Sequence, residues 1–194
     1  MKRHLSSLVL VTVITIAAAQ FSPAQSQRMF ADAERISGDN FSYTTRTRMG
    51  ASVYSVKPAS AALLNAIDTG LNALFAAART NGYSKKLKAS DYNIFIANAD
   101  RTKNAAGEYS PDIAIGAAQY AGSVYDQGGF IYAAGIIVSN KPLAFMIAEH
   151  TKNFERVSEA VRNEGEHLVL YHNDRSRYRA TADHSRGGGH PILP

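Results

Sequence analysis

The residues whose types and spacing could carry chemistry are concentrated near the C-terminus of this chain. Four of its six histidines lie between positions 167 and 190, and two glutamates precede the first of them in the stretch Glu164-Gly-Glu166-His167. Histidine nitrogens and carboxylate oxygens are ligands for zinc and for related transition metals. Because the chain contains no cysteine, thiolate metal sites and catalytic thiols are excluded.

Helical spacing connects these residues to one another. Glu164 and His167 are at positions i and i+3, which is the Glu-x-x-His spacing of helical metal sites. At about 100° per residue, Glu164 falls on the apolar arc of a predicted C-terminal helix, beside Val161 and Leu168. A carboxylate there must be paired, protonated or bound to a metal, since burying a lone charge is costly.

We therefore predict a binding site for a divalent transition metal, with zinc as the expected ion. The predicted ligands are Glu164, His167, His172, His184 and His190. Glu166 is the predicted general base, acting on a metal-bound water. The corresponding function is that of a secreted metal-dependent hydrolase.

The spacing differs from that of the zinc-peptidase helix signature, His-Glu-x-x-His, which places two histidines at i and i+4. Here His167 and His172 are at i and i+5, and the acid Glu166 precedes the histidine. The two rings would lie about 140° apart on an ideal helix, although a local π-bulge would bring them closer. The pattern therefore does not assign the chain to the zinc-peptidase families.

Other functions remain open at this stage. In the main alternative, the chain is a non-catalytic secreted domain that binds a ligand or partner, and its C-terminal His, Glu and Arg side chains form a structural polar network. A His-Asn-His nuclease would need a metal-binding ββα unit, whose hairpin has no counterpart here. No Gly-x-Ser-x-Gly elbow, phosphate loop or dinucleotide fingerprint occurs. A pH-responsive surface based on the histidines is a third alternative.

Two further segments carry candidate residues. The end of the chain, Gly187-Gly-Gly-His190-Pro-Ile192-Leu193, is either a frayed coil or a strap that docks its apolar residues and brings His190 to the cluster. The Gly-flanked pair Tyr125-Asp126 either lines a pocket or forms a simple turn between strands.

The elements that must position these residues can be read from apolar periodicity. Helices are predicted at about 59–80 and about 152–174, with a shorter one near 29–36. Strands are predicted at 41–47, 51–56, 92–97, 112–120, 130–138 and 143–148. The run at 130–138 is either one buried strand or a strand that breaks at Gly135. Gly70 predicts a close approach of the first long helix to the sheet, and Gly165 a possible kink in the second. The fold class is α+β, a small antiparallel sheet packed by the two long helices.

The N-terminus predicts a secretory signal peptide over residues 1–19, with cleavage as late as residue 24. Its apolar run is shorter than the roughly 20 residues that span a bilayer, so no stable membrane anchor is expected after cleavage. Residues 25–194 then form one secreted or periplasmic domain with a Gly-rich tail at 185–194. The net charge of +5, of which Lys2 and Arg3 contribute two, is mild, and no nucleic-acid partner is expected.

Overall fold

The structure, a computed structural model, describes residues 23–103, 105–116 and 128–193. The helices are α1 (Pro23–Ser37), α2 (Ala61–Thr80), α3 (Phe154–Asn173) and α4 (Arg175–Thr181). The strands are β1 (Tyr43–Arg46), β2 (Ser52–Ser55), β3 (Tyr92–Ala97), β4 (Ile113–Gly116), β5 (Phe130–Ala133), β6 (Gly135–Asn140) and β7 (Leu143–Ala148). The predicted signal peptide and the Tyr125-Asp126 segment lie outside the described residues.

The main sheet has five strands in the order β1-β2-β3-β7-β6. Its centre is parallel, since β3 pairs in parallel with both β2 and β7, and its two outer pairings are antiparallel. The sheet is therefore mixed, where the sequence predicted an antiparallel one. The reason is that α2 crosses over between β2 and β3, which is the connection that parallel neighbours require. A second sheet consists of the antiparallel pair β4 and β5.

Helix α2 begins and ends as its sequence predicts. Ser60 caps its start by accepting a hydrogen bond from the main-chain N–H of Leu63. A Cβ atom at Gly70 would lie 2.5 Å from the main-chain oxygen of Ser158 in α3 and 2.9 Å from Val161. The glycine thus permits a close contact between two helices, not the contact between helix and sheet that the sequence predicted. The length and hydropathy of α2 would also suit a membrane span, but half of its most apolar window is buried within the fold.

Helices α2 and α3 cover one face of the main sheet and form the larger core with it. The opposite face is covered by α1 and by β4 and β5, where Met29, Ile113 and Ile131 pack on Phe95 and Met146 of the sheet. The α+β fold with a long C-terminal helix is confirmed. Burying apolar residues on both faces of the central strands explains why β3 and β7 are apolar runs without alternation.

Helix α3 contains four of the predicted site residues, Glu164, Glu166, His167 and His172. Its start is capped by Asn153, and every residue from Gly165 to Leu170 is buried. Gly165 does not interrupt the helix. A Cβ atom there would lie 2.4 Å from the Leu74 side chain of α2, so the glycine serves the packing of the two helices. On its other side α3 contacts β6 and β7, which places its polar residues beside the edge of the sheet.

Candidate metal centre

Three histidines from separate segments converge on one point beside α3. His167 comes from α3, His184 from a turn of 3-10 helix that follows α4, and His190 from the C-terminal tail. The ring centroids of His167 and His184 lie 5.1 Å apart, and each of the other two pairs lies 4.9 Å apart. One potential ligand atom of each residue lies within 4.8 Å of the others. The three side chains could therefore hold a metal ion.

The protonation of these rings suits a metal site. Burial, followed by the nearby His190 and His184, lowers the pKa of His167 to about 3. Burial and then His190 also lower the pKa of His184. Neutral imidazole is the form that ligates metals, so an ion would not have to displace a proton from either ring at neutral pH.

The three imidazole groups could hold a metal ion after a small inward movement. Tetrahedral ligands at about 2.0–2.1 Å from an ion such as zinc lie roughly 3.4 Å from one another, so each ring would need to move inward by at most about 1 Å. The Nδ1 atom of His167 is buried and has no hydrogen-bond partner among the described residues. Buried polar atoms are nearly always paired, and a bound ion or its ligands would account for a polar site of this kind.

Glu166 immediately precedes His167 on α3 and is fully buried. Its Oε1 atom accepts a hydrogen bond of 3.0 Å from the main-chain N–H of Ile192. Its Oε2 atom lies 3.6 Å from Nδ1 of His190. The carboxylate therefore faces the C-terminal tail and one ring of the cluster.

Glu164 lies on the cleft side of α3, against the edge strand. A Cβ atom at Gly135 of β6 would lie 2.6 Å from Cγ of Glu164, so the side chain packs directly on the strand. Burial raises the pKa of the Glu164 carboxyl to about 8. Such a group can exchange a proton near neutral pH, and perturbed carboxyls of this kind are concentrated at functional sites.

A cleft of about 420 Å³ brings these groups together. One wall is formed by the run from Ile131 to Ile137, which spans β5 and the start of β6. The polar side of the cleft is lined by Asn163, Glu164, His167, Tyr178, His184 and His190. The volume lies within the range of small-molecule and substrate sites, about 300–1,000 Å³.

One predicted ligand, His172, lies away from this cluster. The Nε2 atom of His172 lies 3.0 Å from the main-chain oxygen of Asn140, at the end of β6. The ring is half-buried there, and burial is the largest cause lowering its pKa. Because His172 is five positions from His167, it leaves α3 in a different direction. Of the five predicted ligands, the structure thus joins His167, His184 and His190, with Glu164 on the same cleft.

No protein family, no curated protein and no solved structure matches this chain. The helix itself can still be compared with the zinc-peptidase motif, His-Glu-x-x-His, residue by residue. The stretch Asn163-Glu164-Gly-Glu-His167 has that spacing, with asparagine in place of the first histidine. Both Asn163 and Glu164 line the cleft with His167.

A comparison of histidine pairs alone does not reveal this alignment with the zinc-peptidase motif. The pair His167 and His172 has the wrong spacing, whereas Glu164 and His167 have the spacing of the motif's glutamate and second histidine. The signal was the position of Glu164, three residues before the histidine. Tyr178, which also lines the cleft, had no signal in the sequence because only the turn between α3 and α4 brings it there.

Proposed function

We propose that this protein is a metal-dependent hydrolase whose active site is the cleft between α3 and the β5–β6 wall. The observation that carries the proposal is the convergence of His167, His184 and His190 beside a cleft that also contains the carboxyl of Glu164. A metal triad and a titratable acid in one cleft are the parts that hydrolysis of a carbonyl compound requires.

The three histidines would be the ligands, and zinc is the ion that the donor set favours. A tri-histidine site leaves one coordination position open, as catalytic zinc sites do. A bound divalent ion would polarise a carbonyl oxygen and lower the pKa of a water molecule. Asn163 occupies the place of the first motif histidine, and an amide is a poor zinc ligand, so His184 and His190 would complete the set.

Glu164 would be the general base, and Glu166 would support the ligands from behind. Glu164 opens on the cleft, where it can take a proton from the attacking water and return it to the leaving group. Glu166 is fully buried and already accepts a main-chain hydrogen bond, so it has no access to substrate. In this proposal the role of base passes from Glu166 to Glu164, and neither glutamate is a metal ligand.

The wall of the cleft favours an extended polypeptide as substrate. Strand β6 is at the edge of the five-stranded sheet, and no strand among the described residues pairs with its outer side. An edge strand offers main-chain N–H and C=O groups to an extended peptide, which can add to the sheet as a further strand. A peptide bound along β6 would pass Glu164 at Gly135 and the histidines beyond it.

Peptide hydrolysis by zinc-loaded protein tests the proposal. Purified protein would be stripped with a chelator, reloaded with zinc and incubated with unstructured peptides, and the products would be identified by mass spectrometry. Glu164→Gln removes the base but keeps the size of the side chain, so we expect hydrolysis to fall by about 10²- to 10⁴-fold with zinc still bound.

The matched control is Glu159→Gln, at an exposed glutamate on the same helix. It should hydrolyse peptides at the wild-type rate. Cleavage that persists in Glu164→Gln, or after zinc removal, would contradict the proposal. Binding of zinc without any hydrolysis would leave a metal-binding domain that is not an enzyme of this kind.

A further inference from the structure

The C-terminal tail folds back over α3 along a defined path. After α4 the main-chain N–H of Gly189 donates to the oxygen of Thr181, and that of Gly188 donates to the oxygen of Asp183, each at 3.1 Å. A Cβ atom at Gly188 would lie 2.3 Å from the Thr181 oxygen, so only glycine fits there. Gly187 has a φ of 81°, which also favours glycine.

The tail is anchored at its far end by burial and by one carboxylate. The side chain of Ile192 is buried in the larger core. Its main-chain N–H donates to Oε1 of Glu166 at 3.0 Å, and this hydrogen bond is itself buried. Of the two alternatives that its sequence allowed, the tail therefore forms the strap, which comprises residues 187–193.

The same carboxylate touches the metal-binding ring that the strap supplies. Oε2 of Glu166 lies 3.6 Å from Nδ1 of His190, just beyond hydrogen-bond distance. A contact on Nδ1 leaves Nε2 as the nitrogen that can bind an ion. In metal sites a carboxylate at the second ring nitrogen fixes the tautomer and the orientation of the ligating histidine.

We infer that Glu166 is a positioning residue that couples docking of the strap to metal binding. One oxygen holds the strap at Ile192, and the other orients His190, so the third ligand is present only when the strap is docked. No lysine or arginine among the described residues lies within 4.0 Å of the Glu166 carboxylate, and the charge of Arg177 acts on it only from farther away. A divalent ion on the histidines would supply the positive charge that a buried carboxylate requires. This inference rests on the metal centre of the proposed function.

Two substitutions at position 166 distinguish the roles of the two carboxylate oxygens of Glu166. In Glu166→Gln the amide oxygen still accepts the Ile192 N–H, but the amide nitrogen would donate to Nδ1 of His190. That donation forces the ring proton onto Nε2, the nitrogen that should bind the ion. In Glu166→Ala both contacts are lost. Glu159→Gln on the exposed side of α3 is the matched control.

Two readouts on the full chain test the inference. Zinc affinity is measured by competition with a chromophoric chelator. Docking of the strap is measured as the rate at which a serine carboxypeptidase removes C-terminal residues, with and without zinc, followed by mass spectrometry. In the wild type and in Glu159→Gln, zinc should slow the removal of His190 and of the residues that precede it in the chain.

The two variants should differ in pattern. Without zinc, the carboxypeptidase should digest Glu166→Gln at the same rate as the wild type. Glu166→Gln should bind zinc about 10- to 100-fold more weakly than the wild type. Without zinc, the carboxypeptidase should digest Glu166→Ala faster than the wild type. Glu166→Ala should also lose at least as much zinc affinity as Glu166→Gln. Wild-type affinity in both variants, or a digestion rate that zinc does not change, would overturn the inference while leaving the metal centre in place. Absence of zinc binding in the wild type would overturn the metal centre itself, before any variant is compared.

Discussion

The side chain of Glu164 packs so closely on Gly135 that a Cβ atom at position 135 would lie 2.6 Å from the Glu164 Cγ. This contact joins α3, which carries the candidate base and one metal ligand, to the edge strand that forms the cleft wall. The glycine lets a carboxyl approach the strand at the point where an extended substrate would pass.

Replacing Gly135 by alanine should therefore displace Glu164. Because the added atom would also lie 3.0 Å from the main-chain oxygen of Met146, the strand cannot simply shift away. We expect a loss of about 1–3 kcal/mol in the free energy of unfolding and a marked fall in peptide hydrolysis. Zinc affinity should be preserved, since the three histidines do not touch this contact. Chemical denaturation, zinc titration and the hydrolysis assay would measure the three effects.

Gly116→Ala is the control for that substitution, because no atom of the residues that the structure describes lies within 4 Å of a Cβ at this strand position. It should leave stability, zinc binding and hydrolysis near their wild-type values. A Gly135→Ala variant as active as the wild type would show that the position of Glu164 against the strand does not matter for the reaction.

The raised pKa of Glu164 predicts a pH dependence of stability in metal-free protein. In the unfolded chain the carboxyl titrates near 4.5, and in the folded protein near 8. Between these values the folded state keeps a proton that the unfolded state has lost, so stability falls as the pH rises. The lowered pKa values of His150, His167, His172 and His184 act in the opposite direction, and this effect fades as the pH rises above the ordinary value of 6.5.

Between pH 6.5 and 8 the Glu164 effect should therefore appear as a difference between the wild type and Glu164→Gln, because both proteins contain the same histidines. One proton corresponds to about 1.4 kcal/mol per pH unit, which limits the loss across this window to about 2 kcal/mol. The free energy of unfolding of the wild type, measured by denaturant titration with a chelator present, should fall relative to that of Glu164→Gln as the pH rises. Parallel curves for the two proteins would show that Glu164 does not hold a proton in the folded state.

The histidines should separate into two groups. His184→Ala and His190→Ala each remove a ligand, so both should abolish tight zinc binding. His172→Ala removes only the contact with the Asn140 oxygen, which is worth about 1 kcal/mol of stability, and it should bind zinc as the wild type does. Equilibrium dialysis with elemental analysis would measure the stoichiometry. Equal losses in all three variants would mean that the ligands are assigned wrongly.

Gly70 tests how α2 and α3 are held together. Alanine would favour the helix by about 1 kcal/mol, but its Cβ would lie 2.5 Å from the Ser158 oxygen. We expect the steric effect to prevail, with a net loss of about 1–3 kcal/mol in thermal or chemical denaturation. Asn65→Ala, at an exposed position of the same helix, should be neutral or stabilising. A stabilised Gly70→Ala variant would contradict this packing.

Local elements of the fold could be predicted from the sequence because their signals are local. The apolar periodicity gave α2 and α3 to within two residues at each end, and the apolar runs gave β3 and β7 to the residue. The mixed pairing of the sheet was not predicted. The parallel contacts of β3 join strands that are distant in the chain, and apolar runs carry no record of strand direction.

The candidate site could be predicted only in part. The sequence shows which residue types are present, whereas the fold decides which of them come together. The sequence identified residue types that could bind a metal, but the helical projection placed Glu164 on the buried arc. In the structure Glu166 is the fully buried glutamate and Glu164 lines the cleft, because α3 is buried on every side from Gly165 to Leu170. The arrival of His184 and His190 depends on the turns at Gly187 and Gly188, whose direction only the folded structure fixes.

X-ray absorption spectroscopy of the zinc-loaded protein tests the metal centre most directly. We predict one zinc per chain, with three imidazole nitrogens at about 2.0–2.1 Å and one further light ligand. In His184→Ala one imidazole should disappear from the spectrum, while in His172→Ala all three should remain. A wild-type protein that retains no stoichiometric zinc, or a zinc ion whose ligands are unchanged in His184→Ala, would contradict the assignment of His167, His184 and His190 as a metal site.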